Sequence, residues 1–420
     1  MRPASLLGRP WALPKVARDA AWITAGSLTG AIGTMVGFRL VTEFAQADVF
    51  GAFVIVNGMV ALSAGVALQP VAQAALRFYP ELEARGAVEP LRDIMAFECL
   101  RRLAWLAPLL VCSVVVEQIF LARLSAIAWI AAVTTLCVEP LKTVEVVLRN
   151  ASGDQAGYSL LGATDAAARL LGAAACAFLL GSSLETLLVG QLIGTVVVLL
   201  IFVRRLPRTG VAKDERFRRD LRAYGAPLAG LPVFGWLISQ GDRYVVATLL
   251  GPAAAGAYAA AYGLVSRPML MLGGIAEATL RQRLYTAVAR TDARASKHVQ
   301  TVWLALNCGV GVAAALLIAA FGHWIVALVL AEPFRAPALP LLFPIALGHI
   351  AILAYQAVIR RLYAAGRTRQ VLISDGVAGV FAVFGALVGA LTGGVSGVAW
   401  AMPVYTLLQL ALALAFARKL

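Results

Sequence analysis

Apolar residues fall along this chain in long blocks rather than in alternation. From about residue 20 onward, stretches rich in Ala, Leu, Val, Gly and Ile are separated by short breaks rich in arginine. Crossing ~30 Å of hydrocarbon takes ~20 helical residues, and a helix satisfies its own backbone hydrogen bonds there. The blocks predict twelve spans, at approximately 20 to 41, 50 to 76, 103 to 120, 126 to 148, 158 to 180, 185 to 203, 224 to 249, 257 to 280, 300 to 320, 337 to 357, 371 to 390 and 397 to 416. The predicted fold class is all-α, a polytopic membrane protein.

Composition removes the alternative. With 61% hydrophobic and 14% charged residues among 420, and a mean hydropathy of +0.83, no soluble surface could hide the apolar area. The net charge of +14 would suggest nucleic acid in a soluble protein, but its distribution argues otherwise. Of the 36 Lys and Arg, 29 fall in the N-terminal tail, every second connection and the C-terminus, whereas the alternate loops hold only Arg123 and Arg335. The positive-inside rule then puts both termini in the cytoplasm, and the basic balance reports topology rather than a nucleic-acid partner.

The remaining five cations, Arg39, Lys142, Arg169, Arg243 and Arg267, lie within spans. Residues 1–19 precede a span too long for a signal segment and lack a small-residue cleavage site, which predicts a retained cytoplasmic tail. The exported loops are too short for an outer catalytic domain, and no nucleotide motif occurs in the cytoplasmic ones. The five cysteines lack metal or redox spacing and are expected as small buried hydrophobes. His349 and His323 have no partner at ligand spacing, so neither a metal site nor a catalytic residue is assigned, and a packing role is expected for His349. Gly26-x-x-x-Gly30 and Gly33-x-x-x-Gly37 predict close helix packing.

A basic break divides the chain near its midpoint. The predicted organisation is a tail at 1–19, a six-helix lobe at 20–203, a cytoplasmic linker at 204–223 that obeys the positive-inside rule and is a candidate to collect anionic lipid head groups, and a second six-helix lobe at 224–420. The halves are similar at an offset of about 205. Phe50-Gly51-Ala52-Phe53 aligns with Ala255-Gly256-Ala257-Tyr258, and at 204 Gln73 to Arg77 aligns with Glu277 to Arg281. Six spans per half is an even number, so the repeats are parallel, related by an axis along the membrane normal.

These residues also carry a resemblance. A span containing Asp242-Arg243, followed by L-L-G-P-x-x-x-G-x-Y from Leu249 to Tyr258, resembles the seventh-to-eighth span hairpin of the polysaccharide flippases in the multidrug/oligosaccharidyl-lipid/polysaccharide exporter (MOP) superfamily. Val49 to Phe53 followed by Gln69 to Arg77 is similar to that family's opening hairpin. The resemblance implies two lobes around a cavity that opens alternately to each side of a bacterial inner membrane. It implies transport of a polyprenyl-diphosphate-linked oligosaccharide to the periplasmic leaflet, without a cofactor other than a coupling proton or sodium ion. Membrane lipids and other polysaccharide-assembly membrane proteins are the implied partners.

An ionisable group at helix centre costs ~2.5–3.5 kcal/mol on insertion scales, so each intramembrane charge needs a partner or a wet cavity. Arg267, Arg243, Arg169, Lys142 and Arg39 are the candidate substrate-binding cations, and Asp165, Glu139 and Asp242 the candidate ion-coupling acids. Spacing leaves several alternatives open. Asp165 and Arg169, four apart, either neutralise each other or face the cavity, and so do Glu139, Lys142 and Glu145 at intervals of three. Arg39 and Glu43 are four apart near a membrane face and are expected to pair and snorkel. Glu277 has Arg281 four residues on and is expected to be a helix-end acid. Arg267 has no acid on its own helix from Gly263 to Met271, so it either pairs across helices or faces a cavity, where its donor fork suits phosphate oxygens. A drug or cation antiporter of the same superfamily is one competing function. An integral membrane glycan polymerase or transferase is another, disfavoured by the short loops and the absence of a carboxylate or histidine cluster.

Overall fold

The computed structural model describes residues 12–84, 86, 88–120, 124–203, 205–206 and 215–418, all helices and short turns. The predicted tail as far as residue 11, Arg123 and linker residues 204 and 207–214 lie outside the described residues. The helices are α1 (Ala12–Phe44), α2 (Ala47–Ala84), α3 (Val88–Phe120), α4 (Ala126–Ser152), α5 (Gln155–Leu180), α6 (Leu184–Phe202), α7 (Glu215–Gly225), α8 (Leu231–Leu250), α9 (Pro252–Ala289), α10 (Ala293–Val329), α11 (Glu332–Ala364) and α12 (Thr368–Ala417). Among the described residues, nine helices are long and apolar enough to cross a membrane.

α12 is two spans in one run. At Gly394 the backbone takes φ 60°, ψ −144°, a conformation reserved for glycine, and the chain doubles back. Gly389 and Gly397 lie back to back across this hairpin, since a Cβ on either would come within 2.5 Å of the other's carbonyl oxygen. With α7 set aside, the two arms of α12 bring the helices to the predicted twelve, so the all-α polytopic class holds.

The helices pack as two bundles. α1 to α6 contact one another, α8 to α12 do likewise, and the bundles meet chiefly where α2 and α1 lie against α9 and α8. Within the first bundle, Gly26, Gly30, Gly33 and Gly37 of α1 lie against Ser159, Ala163, Ala167 and Leu170 of α5, the close packing that the small residues predict. α7, part of the basic break, docks on α2, with Phe78 edge-on to Phe217 and Tyr224 at 5.8 and 5.9 Å. The chain crosses to the second bundle through a 3₁₀ turn, Ala226–Gly230.

At the end of the molecule opposite α7 the bundles touch through a symmetric contact. A Cβ on Gly51 would lie 1.8 Å from the carbonyl oxygen of Pro252, and one on Gly256 would lie 2.2 Å from that of Ala47. Pro252 and Gly256 are the residues 205 positions beyond Ala47 and Gly51, so each repeat presents the same patch to the other, as in a two-fold interface. Phe50 sits beneath, edge-on to Phe38 at 5.3 Å and to Phe334 at 5.7 Å, and is buried there.

The cysteine expectation needs correction. Among the four whose side chains are described, Cys99 is buried, Cys176 and Cys308 are half-buried, and Cys137 is exposed. A lipid-facing helix surface accepts a thiol as readily as the core does, so apolar sequence context did not imply burial.

Candidate functional site: a cationic chamber and its neighbouring cavities

Beyond the Phe50 seal, α1, α2, α5, α6, α8 and α9 enclose a cavity of about 510 Å³. Arg169, Arg243 and Arg267 all reach its wall, joined by the uncharged polar groups of Asn57, Gln191 and Gln240. Three of the five predicted cations thus share one chamber. Sequence spacing missed its neutral lining. The available signal was weak, an isolated Asn or Gln inside an apolar run, and Gln191 donates to Asn57 at 2.6 Å across the α2–α6 contact.

Each arginine is held differently. Arg243 donates to Gln240 one turn back on α8, and its guanidinium carbon lies 4.3 Å from the centre of the Tyr262 ring. Arg267 lies 5.8 Å from the Phe38 ring centre. Among the described residues neither has a carboxylate within salt-bridge distance. Arg169 is different, because it pairs with both Glu139 and Asp165.

Lys142 completes a ring with these groups, 2.8 Å from Glu139 and 2.9 Å from Asp165. Two acids and two cations alternate across α4 and α5, so the ring is electrically neutral and each cation touches both acids. Both alternatives that the spacing left open are partly realised: Arg169 reaches the cavity and is also neutralised. Glu145 takes no part in this ring and turns instead to Arg92 of α3 and Arg149.

The other predicted site residues lie apart. Arg39 pairs with Glu43 at 2.7 Å, both partly exposed. Asp242 is buried, accepting from Tyr258 Oη at 2.6 Å and from the Arg243 backbone N–H at 2.8 Å, so adjacency to Arg243 gives it no guanidinium partner. Glu277 is shared between Arg281 at 3.3 Å and Arg360 at 2.9 Å. His349 is a buried packing residue whose Nδ1 lies 2.9 Å from the Ile345 carbonyl and whose ring meets Tyr262 edge-on at 5.1 Å. Among the described side chains, an intramembrane acid that the sequence reading did not single out also finds partners. Asp375, inside the span predicted from residue 371, accepts from Tyr355 and from Gln409 at 2.9 Å.

Two further cavities, its arms, share wall residues with the chamber. One arm, also about 510 Å³, runs between α1, α5 and α9 and is lined mainly by apolar groups such as Ile23, Ala31, Ala163 and Met271. Arg267 lines both this arm and the central chamber, and so marks their junction. A second arm of about 490 Å³ lies between α2, α4 and α5, with Gln69, Gln73, Thr143, Asn150 and Tyr158 on its walls. It shares Ala61 with the chamber and Tyr158 with the apolar arm.

Comparison with known proteins places this architecture. An inward-facing multidrug resistance MATE family transporter of the MOP superfamily superposes with a TM-score of 0.70 at 14% identity, over 96% of this chain and 93% of that one. The lipid II flippase MurJ in an inward closed conformation gives 0.68 at 13% identity, over 96% and 88%. A MOP superfamily transporter from Pyrococcus furiosus, described as having a binding pocket of reverse polarity, gives 0.68 at 13%, over 96% and 95%. The chain therefore has the fold of MOP-superfamily transporters. More particularly, residues 159–280 match the family model described as "Polysaccharide biosynthesis protein", a segment that includes Asp242-Arg243 and the Leu249 to Tyr258 motif. No curated protein sequence matches.

Proposed function

We propose that this protein is a flippase that moves a polyprenyl-diphosphate-linked oligosaccharide between leaflets by alternating access, for surface polysaccharide assembly. The observation that carries the reading is Arg267, a guanidinium without a carboxylate partner among the described residues, at the junction of a polar chamber and an apolar arm. Arg243 lines the same chamber, also without an acid partner among the described residues. Two such cations in a low-dielectric site favour a doubly charged, phosphate-rich group, to which guanidinium presents a matched donor fork. The apolar arm suits the first isoprene units, so a diphosphate at Arg267 would sit where lipid tail and sugar diverge. Cationic drugs would be repelled from this chamber, which argues against the antiporter reading. The reverse polarity described for the Pyrococcus pocket supports taking function from cavity charge rather than from fold.

Under this reading the arginine-rich α7 end faces the cytoplasm with both chain termini, in a bacterial inner membrane. The state described is sealed at the periplasmic end by Gly51, Gly256 and Phe50. A coupling proton or sodium ion would act through a buried acid, with Asp242 the one of the three predicted coupling acids that no salt bridge neutralises among the described residues. The test is translocation of a fluorescent polyprenyl-diphosphate oligosaccharide in reconstituted vesicles. Arg267→Ala and Arg243→Ala should each abolish transport while leaving insertion intact. Full transport by both variants overturns the cationic-cavity mechanism, and absence of transport by the wild type overturns the function.

A further inference from the structure

The arm between α2, α4 and α5 has a chemistry that neither the cationic junction nor the apolar arm explains. Gln69 and Gln73 are one turn apart on α2, both exposed into the arm, and Asn150 of α4 and Tyr158 of α5 face them across it. Among the described residues none of these four side chains has a hydrogen-bonding partner, so their donors and acceptors are left to whatever fills the arm. Amides and a phenol both donate and accept, which matches the mixed capacity of sugar hydroxyls, and an aromatic ring offers a flat face for a pyranose. Net charge in the arm is balanced, because Lys142 and Glu139 on its wall belong to the neutral ring.

The repeat strengthens the point, since structural roles should recur in both halves and a binding role need not. At an offset of 204 the equivalents of Gln69 and Gln73 are Gly273 and Glu277. Gly273 packs against Leu353, and Glu277 is consumed by Arg281 and Arg360. The second half has thus closed by packing and ion pairing what the first half keeps open and polar.

We propose that this arm is a glycan subsite that binds the reducing-end sugars of the lipid-linked substrate through Gln69, Gln73, Asn150 and Tyr158, and so separates sugar recognition from diphosphate recognition. The inference rests on the flippase reading and can fail independently of it. The experiment measures binding of two probes to the purified full-length protein: undecaprenyl diphosphate, and the same lipid carrying one N-acetylglucosamine. The wild type should bind the glycosylated probe at least ~10-fold more tightly, as expected from two or more new hydrogen bonds. Gln69→Ala/Gln73→Ala should lose that ratio while keeping the affinity for the bare lipid, and the retained affinity also reports a folded protein. In parallel, Gln73→Cys should be alkylated by a water-soluble maleimide and protected by the glycosylated probe but not by the bare one. If the double variant loses both lipids, this protection decides. A double variant that keeps the full ratio, equal wild-type affinity for both lipids, or equal protection by both would overturn the glycan subsite and leave the flippase reading standing. A wild type that binds neither lipid would overturn both.

Discussion

Neutralising Glu139 separates two roles that an intramembrane carboxylate can have. Glu139 contacts both Lys142 and Arg169, and the four side chains of the ring are between 10% and 22% exposed. Glu139→Gln removes two of the four ion pairs and leaves two cations facing Asp165 alone, a net charge of +1 at a largely buried position. Breaking a buried pair from one side costs ~3–5 kcal/mol. For a unit the size of one bundle, ~3 kcal/mol corresponds to a fall of roughly 6–12 °C in Tm. Adding Lys142→Met restores neutrality and keeps the Arg169–Asp165 pair, so the double variant should recover ~2 kcal/mol of that loss, a coupling within the usual range for interacting sites. The assay is thermal unfolding of the detergent-solubilised full chain, read by intrinsic fluorescence for the wild type, both single variants and the double. A Glu139→Gln Tm within ~2 °C of wild type, or a double variant less stable than Glu139→Gln, would refute the structural ring and return Glu139 to the coupling-ion candidates.

Two further outcomes follow from the contacts at either end. Gly51→Val and Gly256→Val should each prevent α2 and α9 from meeting, because even a Cβ would come within 2.2 Å of backbone oxygen. Alkylation of Phe50→Cys should then accelerate to a similar degree in both, and unchanged labelling would remove this contact from the closing mechanism. At the α7 end, fully buried Glu98 accepts from Arg101 at 2.7 Å and Arg218 at 3.1 Å and lies 3.6 Å from Arg222. Glu98→Gln should loosen α7 from the first bundle by ~2 kcal/mol or more, seen as roughly 30-fold faster hydrogen exchange across residues 218–225. Unchanged exchange there would show that Phe78 and its neighbours hold α7 without the ion cluster.

How much of this was legible in the sequence differs from residue to residue. The pairs of Arg39 with Glu43 and Glu277 with Arg281 were anticipated, because four residues along one helix is a local distance, but Glu277 is not the helix-end acid expected: it lies inside α9 and also pairs with Arg360 of α11. Arg267 was singled out for the same reason in reverse, having no acid within reach on α9. Arg169 and Lys142 were not separable from Arg243 and Arg267 by spacing, because the ring closes between α4 and α5. Asp375 and the amide-lined arm were missed. A single acid near the start of a span and two glutamines on α2 become informative only beside Tyr355 and Gln409, or opposite Asn150 and Tyr158.

By itself the sequence determined the membrane class, the twelve spans, the parallel repeat and the set of charges that needed explanation. The bilayer makes those properties one-dimensional, because hydrophobic length, backbone satisfaction and the cost of a charge are each settled within a single helix. Only the tertiary structure decided which charges cancel and which remain. That choice depends on the rotation and register of one helix against another, a relation that no spacing along one chain segment encodes, and it leaves Arg243 and Arg267 facing the cavity while Arg169 and Lys142 are bound into a neutral ring.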